Sequence, residues 1–111
     1  MIEQLTRKYA EAFAAKDLQT IASLLTDDFV LEDPAVIRVE GKSKALVEVR
    51  KIFDSNPGKF VFTAKNIYVS GQTSIMEFVL QLESVVLKGA DIIEWRGDRI
   101  CELRAYLDLP K

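Results

Sequence analysis

The amino-acid sequence predicts an α+β fold, in which three helices from the first half of the chain pack on one face of a curved antiparallel sheet. Apolar residues recur at helical spacing in the first half, and β-branched and aromatic residues dominate from residue 60 onward. Helices that precede a run of strands favour a sheet covered on one face. The 111 residues contain no linker or repeat, so we expect one domain that spans residues 1–111.

The first predicted helix covers residues 2–15. Its apolar residues recur three and four positions apart, as in an amphipathic helix, and comprise Ile2, Leu5, Tyr9, Ala12 and Phe13. A second, shorter helix follows Asp17, which stands at the position of an N-cap residue. The apolar positions of both segments should face the sheet.

A short strand at residues 29–33 separates these two helices from a third. Pro34 ends that strand, because proline cannot continue a central ladder of hydrogen bonds. Gly41 and Ser43 open the third helix, and the turn-forming residues 55–58 end it. The helical half of the chain therefore also contributes one strand to the sheet.

The second half of the chain predicts four further strands, at residues 60–69, 73–83, 85–96 and 99–108. Residues 70–72 and 96–98 each contain a glycine and are typical of tight hairpin turns. The remaining turn is expected near Ser84. Successive hairpins of this kind produce an antiparallel sheet.

The composition excludes several classes of function. The chain carries 15 basic and 17 acidic residues, so it lacks the basic excess that nucleic-acid binding requires. No apolar run is long enough to cross a membrane, and the first residues lack the pattern of a signal peptide. We therefore expect a cytoplasmic protein without a nucleic-acid or membrane partner.

The absence of histidine and the presence of a single cysteine, Cys101, restrict the possible chemistry. A serine or cysteine nucleophile activated by histidine is excluded, as is a histidine-ligated metal ion. One cysteine forms neither an intrachain disulfide nor a cysteine metal cluster. We predict no metal site and no cofactor, and any general acid or base must be a carboxylate, a lysine, a tyrosine or Cys101.

Three polar residues are predicted to lie on apolar faces. Tyr9 belongs to the apolar stripe of the first helix, and Asp33 ends the first strand at the rim of the sheet. Asp91 alternates in phase with Ile93 and Trp95, so it points inward if they do. Burial disfavours the charged form of a carboxyl group, so the pKa of Asp91 should be raised. Each residue alone also has a simpler explanation. Tyr9 could be a phenol in the core, Asp33 could form a turn before proline, and Asp91 could start a strand with its side chain in solvent.

Four segments of the chain, taken together, carry a resemblance to a known family. They are RKYAEAFAAKDL at residues 7–18, VLEDP at residues 30–34, ADIIEW at residues 90–95 and ICELRA at residues 100–105. In this order they resemble the opening helix, the catalytic-aspartate segment and the last two strands of bacterial ketosteroid isomerases. More loosely, the chain is similar to the SnoaL-like and nuclear-transport-factor-two-like superfamily.

The resemblance implies a cone-shaped, curved sheet, or cystatin-like roll, with the helices on its concave face around one apolar pocket. It implies that Asp33 is a base that shuttles a proton, and that Tyr9 and a protonated Asp91 donate hydrogen bonds to an oxyanion. The implied reaction is double-bond isomerisation next to a carbonyl group of a small hydrophobic molecule. We expect the pocket to be lined by Phe13, Val30, Phe53, Ile93, Trp95, Leu103 and Ala105.

Two other classes of function stay open on this fold. One is a non-catalytic protein that binds a hydrophobic ligand, and the other is a carboxylate-based enzyme such as a polyketide cyclase or an epoxide hydrolase. Epoxide hydrolysis would be favoured by an arginine between two aspartates in the pocket, but Arg104 is predicted outside it and Arg38 in a mobile loop. The outer face of the sheet, with Arg104 and Tyr106, together with the resemblance, predicts a homodimer.

Overall fold

The structure is a computed structural model that describes residues 1–34 and 37–108. Within these ranges the chain forms helices α1 (Ile2–Ala14), α2 (Leu18–Ser23) and α3 (Lys42–Ser55), and strands β1 (Leu25–Asp33), β2 (Ile37–Glu40), β3 (Phe60–Ser70), β4 (Thr73–Leu82), β5 (Val86–Arg96) and β6 (Arg99–Asp108). The predicted α+β class with a curved sheet is confirmed. None of the described helices is long and apolar enough to cross a membrane.

The three predicted helices and the last four predicted strands are all confirmed, with small differences at their ends. Helix α2 begins where expected, because the carboxylate of Asp17 accepts a hydrogen bond from the backbone N–H of Thr20 at 3.1 Å. Strand β4 ends at Leu82 and β5 begins at Val86, so the turn expected near Ser84 is confirmed as well.

The edge of the sheet differs from the prediction. Strand β1 begins at Leu25 rather than at residue 29, and an unpredicted strand, β2, pairs with β1 along the edge. The prediction that Arg38 lies in a loop is wrong, because Arg38 belongs to β2. Ile37 and Val39 alternate with polar residues in β2, but the strand has only four residues and all of them are exposed or half-buried. So short an alternation is a weak signal, and the strand depends on its pairing with β1.

All strands belong to one sheet in the order β2-β1-β6-β5-β4-β3. The pair of β1 and β6 is parallel and the other neighbouring pairs are antiparallel, so the sheet is mixed rather than wholly antiparallel. Extra residues shift the register within β1, β3 and β6, and such bulges bend a strand and increase its twist. Helix α1 packs on β3 and β4, and α3 packs on β1 and β2.

A buried set of hydrogen bonds holds α1 on the sheet. The hydroxyl groups of Thr6 and Ser74 lie 2.8 Å apart, and the indole N–H of Trp95 donates to the Ser74 hydroxyl at 3.0 Å. Thr6 and Ser74 are fully buried, and the Thr6 hydroxyl also lies 2.8 Å from the backbone oxygen of Ile2. These polar groups therefore depend on partners within the protein rather than on water. The bonds fix the position of α1 over β4 and β5. Tyr9 lies about one helical turn after Thr6, so its position depends on them too.

Aromatic rings pack between the helices and the inner face of the sheet. The ring of Phe13 in α1 contacts the rings of Phe53, Phe60 and Phe62, with centroid separations of 5.2, 5.6 and 4.9 Å. Phe62 in turn stacks on Phe78 at 4.8 Å. Each such pair contributes roughly 0.5–1.5 kcal/mol beyond the burial of its surface. The rings therefore join α1 and α3 to β3 and β4.

Gly89 in β5 leaves room for this packing. A Cβ atom at position 89 would lie 2.3 Å from the backbone oxygen of Tyr106 and 2.9 Å from the ring of Phe78. Neither neighbour can move easily, because the first belongs to the main chain of β6 and the second to the packed aromatic rings. Only glycine fits at this position without a shift of the sheet.

We expect Gly89→Ala to lower the free energy of unfolding by about 1–3 kcal/mol or more, the usual cost of overpacking a core. Urea denaturation measures this loss. Gly58→Ala is a matched control, because a Cβ atom there meets only the exposed side chain of Glu83, which can move at the cost of its hydrogen bond from Lys59. Equal losses in the two variants would contradict this account of Gly89.

Candidate functional site

A cavity of about 210 Å³ lies between the helices and the inner face of the sheet. Sixteen residues line it, and twelve of them are apolar. The polar lining residues are Tyr9, Asp33, Asn56 and Asp91. These polar groups face a largely apolar enclosure, in which electrostatic interactions are weakly screened.

The three predicted polar residues reach the cavity from three different elements. Tyr9 projects from α1 and is 7% exposed, and Asp91 projects from the inner face of β5 and is 5% exposed. The inward orientation predicted for both residues is therefore confirmed. Asp33 is the last residue of β1 and is half-buried, so it lines the cavity while keeping some contact with solvent.

The strand register explains why Asp33 and Asp91 face the same space. Asp91 pairs with Ala105 across β5 and β6, and Glu32 pairs with Arg104 across β1 and β6. Extending the parallel register by one residue places Asp33 beside Ala105. The backbones of the two aspartates are then two strand spacings apart, about 10 Å. The side chain between them is the methyl group of Ala105, which leaves room for both carboxyl groups.

Burial determines the protonation of the two enclosed groups. Burial, and to a smaller extent the negative charge of Asp33, raises the pKa of Asp91 to about 8. Burial and then the charge of Asp91 raise the pKa of Tyr9 well above its ordinary value. At pH 7 both groups are therefore mainly protonated, and both can donate hydrogen bonds. The raised pKa that the sequence predicts for Asp91 is confirmed.

Of the residues predicted to line the pocket, three lie on the cavity wall: Phe13, Leu103 and Ala105. Val30 does not line it. Val30 pairs with residues on the outer side of the sheet, and its neighbour Leu31 lines the cavity instead. Successive side chains of a strand point to opposite faces of the sheet. An error of one position along β1 therefore predicts that Val30 points inward, when Leu31 does.

Phe53, Ile93 and Trp95 are buried in the core but are not among the residues that line the cavity. Phe53 packs against the ring of Phe13. Ile93 has no exposed surface, and the indole of Trp95 is bonded to Ser74 under α1. Parity along β5 correctly indicates that these strand residues point inward, but α1 covers the part of the inner face that they occupy.

The end of the cavity near the turn between β4 and β5 is not predicted from the sequence. Asn56, Leu82 and Leu87 line this end. Asn56 lies in a segment whose composition indicates only a turn, and the two leucines flank the least marked turn of the sheet. Alternation is the signal that could have identified the leucines, because Leu82 is in phase with Leu80 along β4 and Leu87 is in phase with Asp91 along β5.

The arginines closest to the site lie on the outer face of the sheet. Arg104 forms ion pairs with Glu94 and Glu102, both with N–O distances of 2.7 Å, so its predicted position outside the pocket is confirmed. Arg38 contacts Glu32 at 3.0 Å. No arginine is among the described residues that line the cavity. Within residues 1–34 and 37–108, no three side chains of the metal-ligating types converge.

Comparison with known proteins gives the context of this cavity. The sequence profile of the SnoaL-like domain family matches residues 6–103. None of the curated proteins matches the chain. Many solved structures share the fold.

Three of these structures illustrate the similarity. A Kribbella flavida protein provisionally named a ketosteroid isomerase has a TM-score of 0.85 and 20% identity, over 97% of this chain and 78% of its own. A Sinorhizobium meliloti protein provisionally named a polyketide cyclase has a TM-score of 0.80 and 15% identity, over 93% of this chain and 94% of its own. A Xanthomonas campestris protein of unknown function with a cystatin-like fold has a TM-score of 0.79 and 20% identity, over 96% and 89%. At these identities the similarity shows the fold alone.

The raised pKa of Asp91 makes stability depend on pH. In the unfolded chain this carboxyl loses its proton near its ordinary pKa of 3.8, whereas the folded protein keeps it up to about pH 8. Between these values the folded state binds more protons, so its stability falls as pH rises. We expect Asp91→Asn, which has no proton to lose, to gain stability relative to the wild type across this window, by up to about 1.4 kcal/mol per pH unit.

Urea denaturation of both proteins at pH 5, 6, 7 and 8 measures this difference. Asp98→Asn, at an exposed position in the turn between β5 and β6, controls for the loss of one carboxyl group. A stability difference between wild type and Asp91→Asn that stays constant over this range would show that Asp91 is ionised in the folded protein.

Proposed function

The chain belongs to the SnoaL-like domain family, and we propose that it catalyses proton transfer next to a carbonyl group of a small hydrophobic molecule. The observation that carries the proposal is the convergence of Asp33, Tyr9 and Asp91 on one largely apolar cavity. Burial leaves Tyr9 and Asp91 as neutral donors, as their raised pKa values indicate. Asp33 is half-buried at the rim, within reach of a bound substrate.

In the proposed reaction, Asp33 acts as the base. Its carboxylate removes a proton from the carbon between the carbonyl group and a carbon–carbon double bond, and the electron pair of that C–H bond forms a dienolate. Asp33 then returns the proton to the far carbon of the double bond. The carbonyl group re-forms, and the product is the conjugated isomer. One residue can perform both steps because the proton stays on Asp33 between them.

Tyr9 and Asp91 would stabilise the intermediate. The negative charge of a dienolate is concentrated on its oxygen, and the Tyr9 hydroxyl and the protonated Asp91 carboxyl would both donate to that atom. Donors that are held in place before the reaction need no reorganisation when the charge develops, and losing one typically lowers the rate about 10²–10³-fold. Asp91 must be neutral in this role, which agrees with its raised pKa.

The size of the cavity favours a compact substrate. Its volume of about 210 Å³ lies below the range of roughly 300–1,000 Å³ that is usual for pockets holding drug-sized ligands. A monocyclic or short-chain unsaturated ketone fits this volume better than a four-ring steroid. The proposed reaction is therefore the double-bond isomerisation that the family resemblance implies, but on smaller molecules than steroids.

Other reactions on this fold receive unequal support. Epoxide hydrolysis with an arginine between two aspartates is disfavoured, because Arg104 is ion-paired on the outer face of the sheet. Cyclisation of a polyketide also begins with loss of a proton next to a carbonyl, so Asp33, Tyr9 and Asp91 could serve it in the same roles. A ligand-binding protein without turnover would use the same cavity with Asp33 idle.

We propose in addition that the protein forms a homodimer through the outer face of the sheet. Tyr68, Ile75 and Tyr106 are apolar residues exposed on this face. The ion pairs of Arg104 with Glu94 place both signs of charge beside them. A second copy, related by a twofold axis, could therefore match apolar and charged groups with its own.

We expect sedimentation at micromolar concentration to give twice the monomer mass of 12.5 kDa. Tyr106→Glu should shift the protein toward the monomer, because it places a charge in the buried contact. Val47→Glu is the matched control, since Val47 is an exposed apolar residue on α3, away from the sheet face. A wild-type mass of 12.5 kDa would overturn the homodimer.

Turnover of cyclohex-3-enone tests the proposed reaction, because its conjugated product is followed by ultraviolet absorbance. We expect Asp33→Asn to lower the rate by about 10²–10⁴, the usual contribution of a general acid or base. Glu32→Gln is the matched control, since it removes the neighbouring carboxylate, which lies on the outer face and pairs with Arg38. This control should keep the wild-type rate.

A 5-ene-3-ketosteroid serves as the large comparison substrate and should react more slowly than cyclohex-3-enone. Turnover of neither ketone above the rate in buffer would overturn the isomerase proposal and favour the binding protein. If Asp33→Asn and the wild type turn over the ketone at equal rates, Asp33 is not the base of the reaction.

A further inference from the structure

The cavity has polar groups at two places rather than one. Tyr9, Asp33 and Asp91 form the first, and Asn56 stands apart from them. Strand β5 runs between the two places: Leu87, at the far end of the cavity wall, is four residues from Asp91. At the usual rise of a strand this is about 13 Å.

Several contacts locate Asn56 at this far end. Asn56 directly follows α3. The backbone N–H of Lys59 donates to the carboxylate of Glu83 in the turn between β4 and β5 at 2.6 Å, and Phe60 pairs with Leu82. The segment that carries Asn56 therefore packs against the turn between β4 and β5, away from Asp91.

The side chain of Asn56 is held in a defined orientation. Its amide nitrogen donates to the backbone oxygen of Ile52 at 2.8 Å. A carbonyl oxygen only accepts, so this contact distinguishes the amide nitrogen from the amide oxygen. The ammonium group of Lys16 bonds to the backbone oxygens of Asn56 and Phe53, which fixes the main chain at the same point. The amide oxygen, with two lone pairs, is the group left to accept a hydrogen bond from a ligand.

We propose that Asn56 determines ligand specificity: its amide oxygen accepts a hydrogen bond from a hydroxyl or amino group at the end of the ligand opposite the carbonyl. The preferred ligands are then compact molecules with two polar ends and an apolar middle, which matches the apolar wall between Asn56 and Asp91. The inference rests on the proposed function for the orientation of the ligand, with its carbonyl at Tyr9 and Asp91. A helix end alone explains the bond to Ile52 but not the position of Asn56 on the cavity wall.

Binding of phenols tests the inference without requiring turnover, because a phenol oxygen imitates the oxygen of an enolate. The probes are two pairs that differ by one distal hydroxyl group and cover two lengths: 2-naphthol with 2,6-dihydroxynaphthalene, and 4-phenylphenol with 4,4′-biphenol. Titration at pH 7 gives the dissociation constants. We expect at least one diol to bind the wild type about fivefold to tenfold more tightly than its partner with one hydroxyl, as one hydrogen bond typically supplies.

Two variants at position 56 separate recognition from folding. Asn56→Leu keeps the size of the side chain and should abolish the preference, so that each diol and its single-hydroxyl partner bind with similar dissociation constants. Asn56→Asp loses the same bond to Ile52 but keeps an oxygen acceptor, so it should retain the preference. Thermal melting shows whether both variants lose stability equally.

The outcomes distinguish this inference from the proposed function. If the single-hydroxyl phenols bind and Tyr9→Phe weakens them, but no diol is preferred, the role of Asn56 is overturned and the oxyanion site stands. A diol preference that survives in Asn56→Leu also overturns it. If none of the four phenols binds, or if Tyr9→Phe and Asp91→Asn leave binding unchanged, the oxyanion site fails and the inference fails with it.

Discussion

The hydrogen bonds between Thr6, Ser74 and Trp95 are the contact on which the arrangement of the cavity depends. These groups are buried beneath α1, and leaving any one of them unpaired would cost about 1–3 kcal/mol. Apolar attraction is non-directional, whereas a buried hydrogen bond requires its donor and acceptor at defined positions. That position places Tyr9 over the same inner face as Asp91. The cavity is therefore a consequence of how α1 is anchored.

Asp91 and Glu94 illustrate how one strand produces two kinds of carboxyl group. They lie three residues apart in β5 and so point to opposite faces. On the outer face, hydrogen bonds from Thr73 and Arg104 lower the pKa of Glu94. On the inner face, burial raises the pKa of Asp91 to about 8. The pleat of the strand, rather than the type of side chain, determines which carboxyl is an ion and which is a donor.

The same burial connects stability with the proposed chemistry. A neutral carboxyl in an apolar enclosure is a strong donor to a developing oxyanion, because the enclosure screens the interaction only weakly. It also makes the folded state less stable at neutral pH than an apolar or amide side chain would, since the unfolded chain gains solvation by releasing the proton. Burial of Asp91 thus favours the proposed catalysis but lowers the stability of the fold. Other contacts must offset this loss, and the aromatic packing around Phe13 and Phe62 is one of them.

By itself, the sequence determined the order of helices and strands, the inward faces of α1 and β5, and the family resemblance that singled out Tyr9, Asp33 and Asp91. Periodicity is a local property, so it identifies the face on which a residue lies. Only the tertiary structure decided what covers each face. Helix α1 covers Ile93 and Trp95, and Leu31 rather than Val30 lines the cavity. The tertiary structure also placed Asn56 on the cavity wall and paired β1 in parallel with β6. These features depend on contacts between residues far apart in the chain, and no spacing within one segment encodes such contacts.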